Sequence, residues 1–275
     1  MNPLALAVLG RGVVDPSEPV VRADDDALTR GRAVFETLRV YGGRPFRLRE
    51  HLLRLAGSAG RVGLTEPPLD ELEGLATLAL EAAGVPDSVL RFYWTPGAPA
   101  ADPTGLVLVG PVPDWIEPAR AKGQRLVSLF HPRRSVPWLL PATKSTSYAV
   151  NMAAEAEAKR RGVDDAVFVD ADGTVLEGPV TNIWWRQRTT LHTPSLELGI
   201  LAGETRAALL ELAAGCGYTV EEDMAPLTAV TGADEVFTSS SVREVMPVIQ
   251  LDGQVIGRGP AADELQAALR RLATL

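Results

Sequence analysis

The 275-residue chain has one cysteine, Cys216, so it can form no internal disulfide and no cysteine-based zinc site. Its three histidines, His51, His131 and His192, are scattered without the spacing of metal ligands, and no metal is expected. Basic residues are outnumbered by acidic ones, 27 to 35, for a net charge of −8. That balance argues against nucleic acid or an anionic membrane as a partner. No apolar run reaches the ~20 residues that span a bilayer. The opening residues from Met1 to Gly10 are apolar but lack a basic region and a long hydrophobic segment, and they read as a first strand rather than a signal peptide. A cytoplasmic location is the expectation.

What is present is a soluble globular composition, 46% apolar and 23% charged, long enough for one large or two modest domains. Ala5–Leu9 and Ala33–Tyr41 read as strands, the second closed by a Gly42-Gly43 turn, with the polar loop Asp24–Arg32 between them. Leu48 opens an amphipathic helix to Ala59, and Leu69–Ala83 is a second helix stopped by Gly84. Strands follow at Val89–Trp94 and Leu106–Val109, on either side of a loop dense in proline and small residues, Thr95–Pro103. The proline-rich section Pro111–Gly123 marks a domain boundary: residues 1–115 form a smaller domain, 116–121 a linker and 122–275 a larger domain.

The later chain is organised around one lysine set among small hydroxyl residues, Thr143-Lys144-Ser145-Thr146-Ser147-Tyr148. A helix rich in alanine and glutamate runs from there to Lys159 and ends at Gly162. The apolar run Ala166–Val169, the turn Asp170-Ala171-Asp172-Gly173 and a returning strand Thr174–Leu176 then deliver Glu177. A lysine amine can form a Schiff base with an aldehyde, and a carboxylate can keep a pyridine nitrogen protonated, so the pair suits pyridoxal phosphate. The same two residues also suit a surface lysine and a solvated strand-end glutamate, and spacing alone leaves both open.

The segments Lys144–Tyr148, Ala156–Ala166, Asp172–Gly178 and Thr181–Ile183 resemble the class IV aminotransferases, the fold-type IV pyridoxal phosphate enzymes. The resemblance extends from about residue 25 to 255. It implies an α+β chain of two domains, a small N-terminal α/β sandwich and a larger C-terminal pseudo-barrel. It also implies a homodimer with active sites at the subunit interface, because the family's loop corresponding to Asp25–Glu36 reaches the neighbouring subunit.

Carried over residue by residue, the resemblance gives Lys144 the cofactor attachment and the proton shuttle. Glu177 falls on the pyridine nitrogen, and Tyr148, about one helical turn past Lys144, on the phenolic oxygen. Phosphate binding goes to Arg54 of a His-x-x-Arg-Leu pattern, whose guanidinium matches phosphate oxygens in pairs. It goes also to the amides of Glu204 and Thr205 at a helix start, and to Ser241 with Ser240 second. Thr205 could equally be an ordinary helix cap.

The substrate is less legible. Phe35 and Thr37 stand close to the Phe-x-Thr of aminodeoxychorismate lyases, though Thr37 also suits any strand. The Arg-x-His pair of familiar D-amino-acid transaminases is absent from Thr95–Ala100. A substrate carboxylate would then need Arg30 or Arg32, on the loop from the other subunit, or Arg243. The Tyr-x-x-Gly signature of branched-chain L-amino-acid transaminases is missing, although Arg91 sits near where those enzymes place an arginine. The preferred expectation is a transaminase that passes the amino group of D-amino acids, or R-amines, to a 2-oxo acid such as 2-oxoglutarate or pyruvate. The alternatives are aminodeoxychorismate lyase chemistry and a non-catalytic cofactor-binding relative.

Overall fold

The computed structural model describes residues 3–130 and 141–274; His131 lies outside them. The chain divides into two units, residues 1–113 with 143–148, and residues 114–142 with 149–275.

The first unit is an antiparallel sheet with helices against one face. Its elements are β1 (Ala5–Val8), β2 (Gly12–Val14), α1 (Asp26–Arg30), β3 (Val34–Tyr41), β4 (Arg44–Pro45), α2 (Leu48–Arg61), α3 (Leu69–Ala83), β5 (Ser88–Thr95) and β6 (Thr104–Gly110). The strand order is β2-β1-β6-β5-β3-β4. Alternation along β3 buries Val34, Glu36, Leu38 and Val40 on one face and leaves Phe35, Thr37 and Arg39 half-buried on the other. The buried face packs with Leu52, Leu55 and Ala59 of α2 and Leu72, Leu75 and Ala79 of α3 into one core. Helix α3 ends as expected, Gly84 taking the left-handed cap at φ 62° and returning its N–H to Leu80. The loop Asp24–Arg32 is more ordered than its polarity suggests: Asp25 caps the short helix α1 within it.

Within that apolar core lies one charged knot. Glu36, with no exposed surface, accepts Arg54 Nε and Nη2, each at 2.7 Å, and faces His51 Nδ1 at 2.7 Å. Burial alone would raise the Glu36 carboxyl, but the Arg54 guanidinium and the hydrogen bonds from Arg54 and His51 outweigh it and hold the group down at about 2.

The second unit comprises α4 (Ile116–Lys122), β7 (Gln124–Phe130), α5 (Ala149–Arg160), β8 (Asp165–Val169), β9 (Asn182–Gln187), β10 (Thr190–Pro194), α6 (Glu204–Ala213), β11 (Thr219–Asp223), α7 (Leu227–Thr231), β12 (Glu235–Ser240), β13 (Glu244–Leu251), β14 (Gln254–Val255) and α8 (Ala261–Ala273). Its mixed sheet runs β11-β10-β9-β12-β13-β7-β8, with β14 on β13. Leu126, Val167, Ile183, Trp185, Val236 and Val248 fill one core. The rings of Trp184 and Phe237 stack at 5.9 Å from the neighbouring strands β9 and β12.

Three details differ from the sequence reading. The stretch 116–121, expected as a linker, is helix α4, whose buried Arg120 reaches the fully buried Glu244 at 2.7 Å. The lysine segment 143–148 belongs to the first unit and not to the larger C-terminal one, because its backbone bonds to β3 and the residues before it. The returning strand 174–176 makes hairpin bonds, Leu176 N–H to Phe168 and Phe168 N–H to Glu177, but Val175 turns its N–H to Ala225, so no regular strand forms.

Removing Glu36 would strand the partly buried Arg54 guanidinium and the buried His51 ring. Glu36→Ala is expected to cost about 3–5 kcal/mol in urea unfolding. The carboxyl is depressed when folded, so its contribution is fully present above the ordinary carboxylate pKa of 4.5 and is lost as pH falls toward about 2. Glu36→Gln should therefore flatten that part of the acid-unfolding curve, and an unchanged slope would contradict the assignment.

Candidate active site

In the first unit the candidate lysine is held by its main chain. Lys144 C=O accepts the Phe35 N–H at 3.0 Å, Thr146 N–H donates to Ala33 O at 2.8 Å, and Lys144 N–H donates to Ser58 Oγ at 3.2 Å. Ser58 lies on α2 one turn after Arg54, so both project from one helix face. The backbone of the lysine and the candidate phosphate arginine are thus referenced to the same helix. The Arg54 guanidinium is in turn fixed by the buried Glu36, which orients it from the core side.

The lysine side chain enters an aromatic corner. Its Nζ lies 4.2 Å from the Phe35 ring centre and 3.5 Å from the Tyr148 hydroxyl. Phe35 meets Tyr148 edge-on at 5.2 Å and stacks with Tyr93 at 6.0 Å. An ammonium over such rings gains cation–π attraction while losing water. Tyr148 does not reach this place through a helical turn, as its spacing suggests: α5 starts only at Ala149, and Tyr148 N–H instead bonds Thr146 O in a tight turn.

Strand register extends the same face. Phe35 pairs with Tyr93, and Thr37 with Arg91. Burial pushes the Tyr93 phenol upward, and the Arg91 charge opposes it, which places the guanidinium within electrostatic reach of the ring. Phe35, Thr37, Tyr93 and Arg91 therefore form one half-buried patch beside Lys144.

The second unit gathers the remaining candidates. Glu177 is nearly buried and accepts the Leu201 N–H at 3.0 Å. Asn182 Nδ2 donates to Leu201 O at 2.9 Å, and a Cβ on Gly203 would strike Asn182 Oδ1 at 2.1 Å. Only glycine lets that loop approach so closely, and the loop leads into α6. Its N-cap is Gly203, with no side-chain cap; Thr205 lies inside the first turn and is not the cap. No side chain caps this helix start, at Glu204 and Thr205, where the positive end of the helix dipole favours an anion.

At the end of β12, Ser239 accepts the Trp184 indole N–H at 3.0 Å, and Ser240 Oγ accepts the Arg243 N–H at 3.3 Å. Both of those hydroxyl oxygens thus serve the strand and its turn, and Ser241 follows directly after them.

The substrate arginines need correction. Arg243 is clasped between the buried Asp165 and Glu155 and lies over Trp115 at 5.4 Å, so its charge is already matched within the fold. Arg32 donates to the carbonyls of Val62 and Gly63 at the end of α2, a helix C-terminus where a cation is favoured. Both loop arginines are exposed, Arg30 the more so, and it lies near Asp26 at 3.6 Å.

Several positioning residues had no clear signal in the sequence. Ser58 carries no motif that marks it as a partner of the lysine backbone. Asn182 and Glu36 stand within the matched motifs, but only contacts reveal that one shapes a loop and the other orients a guanidinium.

The donor set fits pyridoxal phosphate: an amine on Lys144, a nearly buried carboxylate on Glu177, and an uncapped helix start, a serine and a guanidinium for a phosphate. The family profile for amino-transferase class IV matches residues 33–251. The chain is 33% identical over 267 residues to the bifunctional aminodeoxychorismate lyase / D-amino acid transaminase of Mycobacterium tuberculosis, covering 91% of this chain and 92% of that one. In structure it resembles a hypothetical aminotransferase from the same organism with alpha-ketoglutarate and PMP bound, with TM-score 0.91, 33% identity and 96% and 98% of the two chains covered. It also resembles the branched-chain aminotransferase of Thermoproteus uzoniensis with norvaline, with TM-score 0.90, 29% identity and 98% and 95% covered. A profile match over most of the chain, a relative matched along nearly its whole length and a shared fold lead to one conclusion: the chain belongs to the class IV aminotransferases and is a pyridoxal phosphate enzyme.

Proposed function

We propose that the protein is a transaminase that takes the amino group from D-amino acids and passes it to a 2-oxo acid, acting as a homodimer. The observation that carries the reading is the half-buried patch of Phe35, Thr37, Tyr93 and Arg91 beside the Lys144 amine. It offers an apolar seat for a small side chain and a guanidinium for a carboxylate, both next to a group able to move a proton. The D preference draws on the relative named as a D-amino acid transaminase, and the 2-oxo acid acceptor on the neighbour with alpha-ketoglutarate bound.

Bound pyridoxal phosphate supplies an aldehyde for the amine and an electron-poor ring that accepts the electrons released at the substrate Cα. The chain's own groups do the rest. Lys144 Nζ takes the proton from Cα and returns it at the far end of the transfer. The Phe35 and Tyr148 rings beside Nζ shield it from water. Glu177, oriented by the Leu201 N–H, would hold a proton on the ring nitrogen. Arg54 in the first unit, and the α6 amides and Ser241 in the second, are the groups that would hold the phosphate, so that binding energy would serve orientation.

A second reading has specific support. Thr37 lies next to Phe35 on the half-buried side of β3, in the Phe-x-Thr pattern that resembles the aminodeoxychorismate lyases, and the same relative carries both activities in its name.

Lys144→Ala should abolish the visible absorption of the bound cofactor, and a persisting band would sink the role given to Lys144. Mixed with a single donor and no acceptor, the wild-type protein should bleach with D-alanine and not with L-leucine. Bleaching with L-leucine alone would make it a branched-chain enzyme. Continuous release of pyruvate and 4-aminobenzoate from aminodeoxychorismate would favour the lyase.

Arg91→Met should raise KM for the 2-oxo acid by roughly tenfold to a hundredfold, the worth of a hydrogen bond to a charged group. The absorption band should be unaltered. An unchanged KM would remove Arg91 from carboxylate binding.

A further inference from the structure

Asp25 is 1% exposed, and among the described residues it pairs with no cation. A buried carboxylate without a cation is costly unless each oxygen is hydrogen-bonded. Here each is. Oδ1 accepts the Ala27 N–H at 2.8 Å, capping α1, and Oδ2 accepts the Thr95 hydroxyl at 2.6 Å. Thr95 Oγ1 in turn accepts the Gly97 N–H at 3.1 Å. Gly97 sits at φ +76°, and a Cβ there would lie 2.1 Å from the Asp102 carbonyl oxygen, so the loop after β5 folds tightly back on itself.

The far end of α1 is tied to the lysine. Gly31 O accepts the hydroxyls of Thr146 at 2.9 Å and Ser147 at 3.0 Å, and a Cβ on Gly31 would meet Ser147 Oγ at 2.6 Å. Two residues further on, Ala33 O accepts the Thr146 N–H. A continuous set of hydrogen bonds therefore runs from the loop 95–103 through Asp25 and α1 to the segment that carries Lys144.

We propose that the Asp25–Thr95 pair is a clamp that sets the end of β5 and its loop against the lysine segment, with both residues acting as positioning residues for substrate. The loop leaves β5 two residues after Tyr93, whose ring stacks on Phe35 beneath Lys144 Nζ, so a displaced Thr95 shifts the wall of the substrate patch. The chemistry explains why a carboxylate stands here. Both of its oxygens must accept at once, and an amide offers a single acceptor.

The kinetic part rests on the transaminase reading; the structural part does not. Three variants of the cofactor-loaded enzyme test it: Thr95→Val, which deletes the hydroxyl at nearly constant shape, Asp25→Asn, and Thr95→Ser, which keeps the hydroxyl. In Thr95→Val and Asp25→Asn, amide hydrogen exchange should rise together in residues 24–32 and 95–103, with cofactor absorption retained. kcat/KM should fall about tenfold, mostly through KM, as one hydrogen bond to a charged group is lost. Thr95→Ser should restore both readouts. Faster exchange confined to 95–103, or a wild-type KM in Thr95→Val, would overturn the clamp. If the wild-type protein turned over no donor, the transaminase reading would fail, while the paired exchange would still decide whether the clamp exists.

Discussion

The first unit depends on how β3 is used on both of its sides at once. One edge of its N-terminal end accepts the lysine segment through main-chain bonds, Phe35 N–H to Lys144 O and Thr146 N–H to Ala33 O. Its buried face carries Glu36 into the helices, and its other face carries Phe35 under the lysine amine. Because side chains alternate strictly along a strand, a shift of one residue would exchange Glu36 with Phe35, placing an aromatic ring in the ionic knot and a carboxylate beside the amine. The knot of Glu36, Arg54 and His51 makes that shift prohibitive, since it would leave a partly buried guanidinium unpaired. Structural stability and the register of the candidate site are the same constraint here.

On the proposed reading the second unit faces a different problem, the recognition of an anion by a chain with net charge −8. It relies on local features instead of overall charge. An uncapped helix start concentrates N–H groups, a glycine lets the loop come close, and Asn182 fixes that loop. The cationic side chains nearby are already matched by acids, Arg243 by Asp165 and Glu155 and Arg206 by Glu222. Such neutralised arginines hold the fold together and leave anion binding to a few directed groups.

The family's shared fold explains why the chemistry is clearer than the substrate. Pyridoxal phosphate makes the same demands of any member: an amine, an acid at the ring nitrogen and a phosphate cradle. On the proposed reading, substrate choice falls to the patch of Phe35, Thr37, Tyr93 and Arg91 and to the loop 95–103, since one fold hosts several activities through local features. The absent Arg-x-His pair in this loop and the presence of Arg91 on β5 are a local rearrangement of where a carboxylate could be met.

The sequence by itself determined the elements and the family. Period-two alternation in β3 and β5, the Gly84 stop of α3, the lysine set among hydroxyl residues and the turn before Glu177 are all short-range patterns, and each was legible because its cause lies within a few residues. Tertiary structure alone decided which side chains are available. Arg30, Arg32 and Arg243 look alike in sequence, yet one is the most exposed, one closes the end of a helix and one is held between two acids. Thr205 reads as a cap until Gly203 is seen in that place, and the stretch expected as a linker is a helix anchored by Arg120 on Glu244. A guanidinium's role follows from the carboxylate or carbonyl that reaches it, and for Arg32 and Arg243 those partners arrive from 30 or more residues away. No local pattern encodes them.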